Sequence, residues 1–518
     1  MENLKELIYI VNQNKIKKIE LLDLSDKNGS RVNRLYQAIS KGEVDSDEDA
    51  FDRLFKGQQS KSAYRNLKVQ LRKRLINTLF FIDAYKGGTT DRQTAYFELQ
   101  KDFAAAQLLM AKNARHAGVD LMERLLKAAE HYEFTDLVFS ICRILRLHYG
   151  AQLGDEKKYE EYQQLYVRYR EIDHLENKAE EYYSDLILYY VKDASTKAEL
   201  QSAARRYYEE LAPSLGENAT YKLYFYTSLV RLFQYTCIND YPGAVPVCDE
   251  IIRFFEDKPF EANTPVQICL HHQLVAYLQL GLYEQGENVA VRSEKMMEAG
   301  SFNWFKNLEY LFLLAMHTGN YQRAYTVFRK AVDHKRFSTL PEPVAELWNL
   351  YHAYLHFLIE LGKIAPEEGD RHFTAFRINR FLNDMPIFSK DKKGMNIAVL
   401  SIQILFYILR GNYNTAIDRI EAIEKYCSRY LFKEHTLRSY YFIKLLLTIP
   451  QASFHRTAVA RHARPYLEKL RAFSIEEATE FHKIEIIPYE TLWALILDTL
   501  HLKIYRTPKE SAGRSKAV

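Results

Sequence analysis

Between Leu311 and His334 (LFLLAMHTGNYQRAYTVFRKAVDH) apolar positions recur at steps of three and four on both sides of a short polar turn. Tyr321, Ala324, Phe328 and Ala331 fall along one helical face, leaving Gln322, Arg323, Arg329 and Lys330 for water. Leu308, Leu311, Phe312 and Ala315 form a matching face in the preceding segment. Gly319-Asn320 supplies residues that tolerate a left-handed backbone, which is how many helices stop. The pattern predicts two helices joined by so short a turn that they pack antiparallel, with small Ala324 allowing close approach. Such a pair cannot bury both its apolar faces alone, so it needs neighbours.

The rest of the chain repeats this theme. From Asp91 onward helical periodicity is nearly continuous. Turn-like breaks are expected at Ala117-Gly118, Leu153–Asp155, Lys192–Thr196, Asn239–Gly243, Leu280–Leu282, Thr318–Asn320, Leu361–Lys363, Arg410–Asn412 and Ile449-Pro450. Their spacing centres on roughly 42 residues, within the range that marks stacked helical repeats. Residues 1–86 differ. Helices are expected in Asn3–Leu22 and Val32–Ile39, in a segment started by Ser46 and Asp49 and ending at Phe55, and over Ser62–Ala84. The last of these places Tyr64, Leu67, Leu71, Leu75 and Leu79 on one face. Lys86–Thr90 (KGGTT) reads as a linker. Lys483–Glu490 reads as extended or as a helix interrupted by Pro488, Thr491–Ile504 as a closing helix, and residues 506–518 as a disordered polar tail.

Three turns carry a family likeness. GLYEQG at Gly281–Gly286, GNYQRA at Gly319–Ala324 and GNYNTA at Gly411–Ala416 resemble the Gly-x-Tyr-x-x-Ala turn of tetratricopeptide repeats. Gly154 with Tyr159, and Tyr241 with Ala244, are weaker echoes, and Gly286 stands where that family has Ala. The family's period is about 34 residues, so the longer spacing here implies longer helices or loops. The resemblance covers Ala117–Leu470 and implies stacked helical hairpins with a concave groove. The expected fold of the chain is all-α: a small N-terminal helical domain in residues 1–86, then a right-handed α-solenoid of antiparallel helical hairpins over residues 91–505.

Composition agrees with a folded helical chain: 518 residues, 47% hydrophobic and 27% charged, with only 13 Pro and 19 Gly to make tight β-turns. The 38 tyrosines suit the half-exposed flanks of stacked helices. Five scattered cysteines without a CxxC pair point to reduced thiols. The opening residues lack a cationic lead and an apolar core. The most apolar run, Ile397–Leu409, is shorter than the ~20 residues that span a bilayer. A cytoplasmic protein without membrane contact is expected.

A formal charge of +4 is too small to imply nucleic acid by itself. Locally the balance changes, because Arg53–Ile82 contains no acidic residue. There Lys61, Arg65, Lys68 and Arg72 follow at steps of four, three and four, giving a basic helical stripe suited to an acidic partner or to phosphates. Asp45–Asp49 begins like a calcium loop. Its sixth position is Ala50 where Gly is needed, and its twelfth is Lys56 where Glu is needed, so the acids read as helix N-terminal charges. His352 and His356 lie one turn apart, but HAYLH lacks the Glu of HExxH, and adjacent His271 and His272 point to different faces. GxGxxG, GxxxxGK[ST] and GxSxG do not occur. No catalytic residue, metal or cofactor is expected. The leading expectation is a non-enzymatic scaffold holding a peptide or protein partner in the solenoid groove. The alternative is a regulator whose basic N-terminal unit binds nucleic acid while the array binds a partner.

Overall fold

The computed structural model describes residues 3, 5–8, 30–55, 61–79, 91–192, 196–374, 381, 395–430, 437–473 and 485–502. Within them the chain is all-α, without a β-strand. It divides into two compact units, residues 1–177 with 258–261, and residues 178–257 with 262–518. The expected helices in Asn3–Leu22 fall mostly outside the described residues, and the linker Lys86–Thr90 and the tail 506–518 do so entirely.

The first unit opens with three helices, α1 (Arg31–Ser40), α2 (Asp47–Phe55) and α3 (Lys61–Leu79). They share a core of Val32, Leu35, Ala50, Phe55, Tyr64, Leu67 and Leu71. The expected face of α3 is buried only in its first half: Leu75 and Leu79 are 39% and 61% exposed. A second core gathers α4 (Asp91–Ala111), α5 (Arg115–His131), α6 (Thr135–Leu147) and the start of α7 (Glu156–Val191) around Met122, Val138, Ile141 and Leu145.

The second unit takes α7 from Lys178 and continues through α8 (Lys197–Leu211), α9 (Tyr221–Thr236), α10 (Tyr241–Glu256), α11 (Asn263–Leu280), α12 (Tyr283–Lys295), α13 (Phe302–His317), α14 (Tyr321–Val332) and α15 (Glu342–Glu360). Then come α16 (Met395–Leu409), α17 (Tyr413–Tyr430), α18 (Leu437–Gln451), α19 (Arg456–Arg471) and α20 (Tyr489–Thr499). From α8 onward, helices adjacent in sequence pack on one another, and α11 also packs on α13. One apolar core runs from Leu274 to Leu500.

The joints repeat a single piece of backbone chemistry. A residue with positive φ ends one helix, and the next N–H bonds the carbonyl five residues back, satisfying a terminal acceptor. Gly281 does this with Leu282 N to Tyr277 O at 2.9 Å, Gly319 with Asn320 N to Ala315 O at 2.8 Å, and Gly411 with Asn412 N to Tyr407 O at 2.8 Å. Asn113, Glu133, Asn239, Gly362 and Ser453 head the same pattern. In the second unit these residues stand at 239, 281, 319, 362, 411 and 453, intervals of 42, 38, 43, 49 and 42. Five residues past several of them comes a small residue: Gly118, Ala244, Gly286, Ala324, Ala416 and Ala458. The chain has just turned back there, and the space is narrow. A Cβ on Gly286 would lie 2.4 Å from Leu314 Cδ2 and 3.2 Å from Tyr277 Cβ.

Two expected breaks move. Gly118 lies inside α5, where a Cβ would meet Met110 Sδ at 2.9 Å, and the turn is at Asn113. Pro450 lies within α18, and that turn is at Ser453-Phe454. The turn at Glu133 has no glycine and had no sequence signal.

The closing segment is fastened by a buried ion pair. Arg438, 3% exposed, donates from Nε to Glu485 Oε1 at 2.7 Å and from Nη2 to Glu490 Oε2 at 2.7 Å. Its other donors reach the Phe473 carbonyl at 2.6 Å, and the His317 ring meets the Glu485 carbonyl at 2.6 Å.

No atom lies within 4 Å of the position a Cβ would take on Gly319, so only its φ of +77° opposes a side chain there. Gly319→Ala is therefore expected to cost about 1 kcal/mol through backbone strain alone. Chemical denaturation followed by circular dichroism would show this as a lower midpoint without loss of helix content.

Candidate partner-binding surfaces

The predicted basic stripe exists on α3, and Lys61, Arg65, Lys68 and Arg72 are all exposed. They are not equivalent. Lys68 Nζ donates to Asp47 Oδ2 at 2.7 Å and Tyr64 Oη donates to Asp47 Oδ1 at 2.9 Å, bracing α2 against α3. Lys68, then Tyr64, hold the Asp47 carboxyl below its usual range. Burial, then Asp47, push the Tyr64 hydroxyl up to about 12. Among the described residues Lys61, Arg65 and Arg72 have no ion-pair partner. The acids beside them act as helix-start groups: Asp47, Glu48 and Asp49 fill the first turn of α2, and Asp49 N donates to Ser46 Oγ at 3.1 Å.

The histidines are packing groups. His352 sets its ring against Phe328 at 5.1 Å and edge-on to Phe373 at 4.7 Å, while His356 Nδ1 meets Glu360 at 3.4 Å. No three His, Cys, Asp or Glu side chains among the described residues are grouped to hold a metal ion. Cys142, Cys237, Cys248 and Cys269 are free, buried thiols, and burial pushes Cys142 up to about 12. Cys427's side chain lies outside the described residues.

Two polar networks that sequence reading missed are internally satisfied. Glu123 Oε1 accepts from Tyr149 Oη at 2.7 Å, Lys158 Nζ at 2.9 Å and Tyr162 Oη at 3.0 Å. Asp370, with a side chain 1% exposed, accepts from Tyr325 Oη at 2.5 Å and from Arg329 Nη1. Each carboxylate is already matched by donors, so these groups read as ties between helices.

The second unit holds a half-open cavity of about 200 Å³. Tyr183, Ile187 and Tyr190 of α7 form one wall, and Leu229, Leu232 and Phe233 of α9 another. Thr236, Cys237 and His272 complete its lining. Burial pushes the Cys237 thiol up to about 11, and burial, then His271, bring the His272 ring down to about 4, so both are neutral near pH 7. Sequence reading missed this cavity, because steps such as Tyr183, Ile187, Tyr190 look like any packed helix face. Only the meeting of three helices leaves the space.

No family model, no curated protein and no solved structure matches the chain.

Burial brings the rings of His272, His317 and His352 each down to about 4, against 6.5 for an unperturbed imidazole. The unfolded chain thus binds protons at higher pH than the folded one. The stability held by these neutral rings is complete above pH 6.5 and falls as the pH drops from 6.5 toward 4. Guanidinium midpoints should fall from about pH 7.5 to about pH 5, and His272→Gln should flatten part of that fall.

Proposed function

We propose that this chain is a non-enzymatic interaction scaffold. In this reading residues 91–505 form a right-handed α-solenoid of antiparallel, tetratricopeptide-like helical hairpins, and residues 1–86 form a small helical domain before it. The concave face of the array binds a peptide or an extended segment of a partner protein. The near-regular interval of the left-handed joints, each with its returning N–H bond, supports the array. The packing of consecutive helices from α8 onward is compatible with it. The self-contained core around Leu35, Phe55 and Leu67 supports a separate N-terminal domain.

The observation that carries the binding role is the aromatic-walled cavity in the second unit. Peptide grooves draw affinity from a few apolar or aromatic anchors seated in such pockets, with polar residues around them. Panning a random-peptide display library against the full chain tests this. Enriched peptides sharing an apolar anchor, and weakened about tenfold by Tyr190→Ala, are the expected result. A library that yields no sequence above the background of an unrelated helical protein overturns it.

A second reading is favoured by Lys61, Arg65 and Arg72, three exposed cations of α3 that lack ion-pair partners among the described residues. In it the N-terminal domain binds nucleic acid while the array binds a partner. Fluorescence anisotropy of the full chain with duplex DNA and with RNA should then show binding that weakens steeply with salt. Replacing Lys61, Arg65 and Arg72 together with Ala should lower the salt slope by about two to three. Absence of binding at low salt removes this reading.

A further inference from the structure

We propose that the cavity between α7, α9 and α11, together with Lys197, recognises one apolar side chain flanked by a carboxylate on an extended peptide. This identifies the anchor chemistry of the scaffold reading and rests on it for the peptide, though the pocket itself can be probed alone.

Size sets the first limit. Small-molecule and cofactor pockets enclose about 300–1,000 Å³, whereas this cavity holds about 200 Å³, room for one leucine- or phenylalanine-sized group. Its lining sets the second. Ile187, Leu229 and Leu232 are aliphatic, and Tyr190 and Phe233 meet edge-on with centroids 5.6 Å apart. The lining holds no carboxylate, lysine or arginine, and Cys237 and His272 are uncharged near pH 7, so a charged anchor would be desolvated there without a counter-charge.

The margin sets the third limit. Lys197 opens α8, is half-buried, and lies one turn before Leu200, which packs in one apolar cluster with Phe233 and Cys237 of the cavity lining. Among the described residues no carboxylate pairs with it. Burial lowers its pKa below the usual lysine range, as expected for an ammonium held partly out of water without a counter-ion. Glu199, in the same turn, is engaged in its own cap: Thr196 N donates to Glu199 Oε2 at 2.8 Å and Glu199 N donates to Thr196 Oγ1 at 3.2 Å. A carboxylate arriving with the apolar anchor would supply the missing charge. The walls are held for this. Tyr182 of α7 stacks on Tyr207 of α8 at 3.9 Å, and Tyr207 Oη donates to Asp185 at 3.2 Å, fixing the helix that carries Tyr183 and Tyr190 against the one that carries Lys197.

The test uses the full chain and three fluorinated probes of one ring size, para-fluorophenylacetate, para-fluorobenzyl alcohol and para-fluorobenzylamine, followed by fluorine NMR. The acid should bind saturably and about fivefold more tightly than the alcohol, with the amine weakest. Lys197→Gln should erase the preference for the acid while leaving alcohol binding in place. Leu229→Trp, which fills the cavity, should abolish both; Thr236→Phe serves if that variant does not fold, with thermal melts verifying the fold. Equal binding of acid and amine, or binding that survives in a folded, cavity-filled variant, overturns the assignment. Probes that behave as expected while the peptide library stays silent sustain the pocket and sink only the scaffold reading. Library peptides that bind equally well to Lys197→Gln and Leu229→Trp sustain the scaffold and sink only the pocket.

Discussion

The left-handed joint is the constraint on which the rest of the chain depends. Ending a helix leaves carbonyls without partners, and burying them unpaired would cost about 1–3 kcal/mol each. One residue with positive φ solves this by turning the next N–H back onto the carbonyl five residues earlier, as at Gly319, where Asn320 N reaches Ala315 O at 2.8 Å. The same turn brings the new helix up against the last turn of the old one. A small side chain is then needed one turn in, and Ala324 and Ala416 are fully buried there. Where Leu314 already fills the space, a Cβ at position 286 would fall 2.4 Å from its Cδ2, and Gly286 leaves Leu314 in place. The turn residue and the packing residue are thus two consequences of one geometry.

Not every joint can rely on glycine. At Glu133 a bulky residue adopts φ of 54°, and the surroundings hold it in place. Arg92 donates to the carbonyls of Tyr132 and Glu133 at 2.9 and 3.2 Å, with its guanidinium 4.5 Å from the Phe134 ring centroid. The Glu133 side chain accepts from Lys258 Nζ at 2.6 Å. Strain of this kind persists where neighbours over-determine it. The buried Arg438 near the other end of the chain follows a related logic. Its charge is matched by Glu485 and Glu490, because removing either partner from a desolvated pair is far more costly than the net gain from forming it.

This explains what was legible in the sequence. Helices announce themselves through steps of three and four, and glycine joints through a residue type that only a few backbone conformations favour. So Gly281, Gly319, Gly362 and Gly411 could be placed from sequence. Asn113, Glu133 and Ser453 were not, because no glycine marks their turns; at Glu133 the turn is held instead by Arg92, which donates to its carbonyl from 41 residues away. Gly118 misled for the complementary reason: glycine also serves close approach, here to Met110. The basic stripe was legible as a pattern of charges. That Lys68 braces Asp47, while Lys61, Arg65 and Arg72 have no ion-pair partner among the described residues, was not legible, since an acid 21 residues away leaves no local mark. The cavity was least legible, because it is defined by the atoms that are missing between Tyr183, Leu229 and His272.

The contrast between the chain's polar networks and its cavity decides where binding should be sought. Glu123, Asp370 and Glu485 are surrounded by donors from their own chain, and an incoming ligand would have to displace bonds already made. The cavity is the reverse: its walls are mostly apolar, and near it on α8 stands half-buried Lys197, with no carboxylate partner among the described residues. A group that seats there displaces water from an apolar surface and places its charge beside an unmatched one. Both effects favour association, and neither requires breaking an interaction that stabilises the fold.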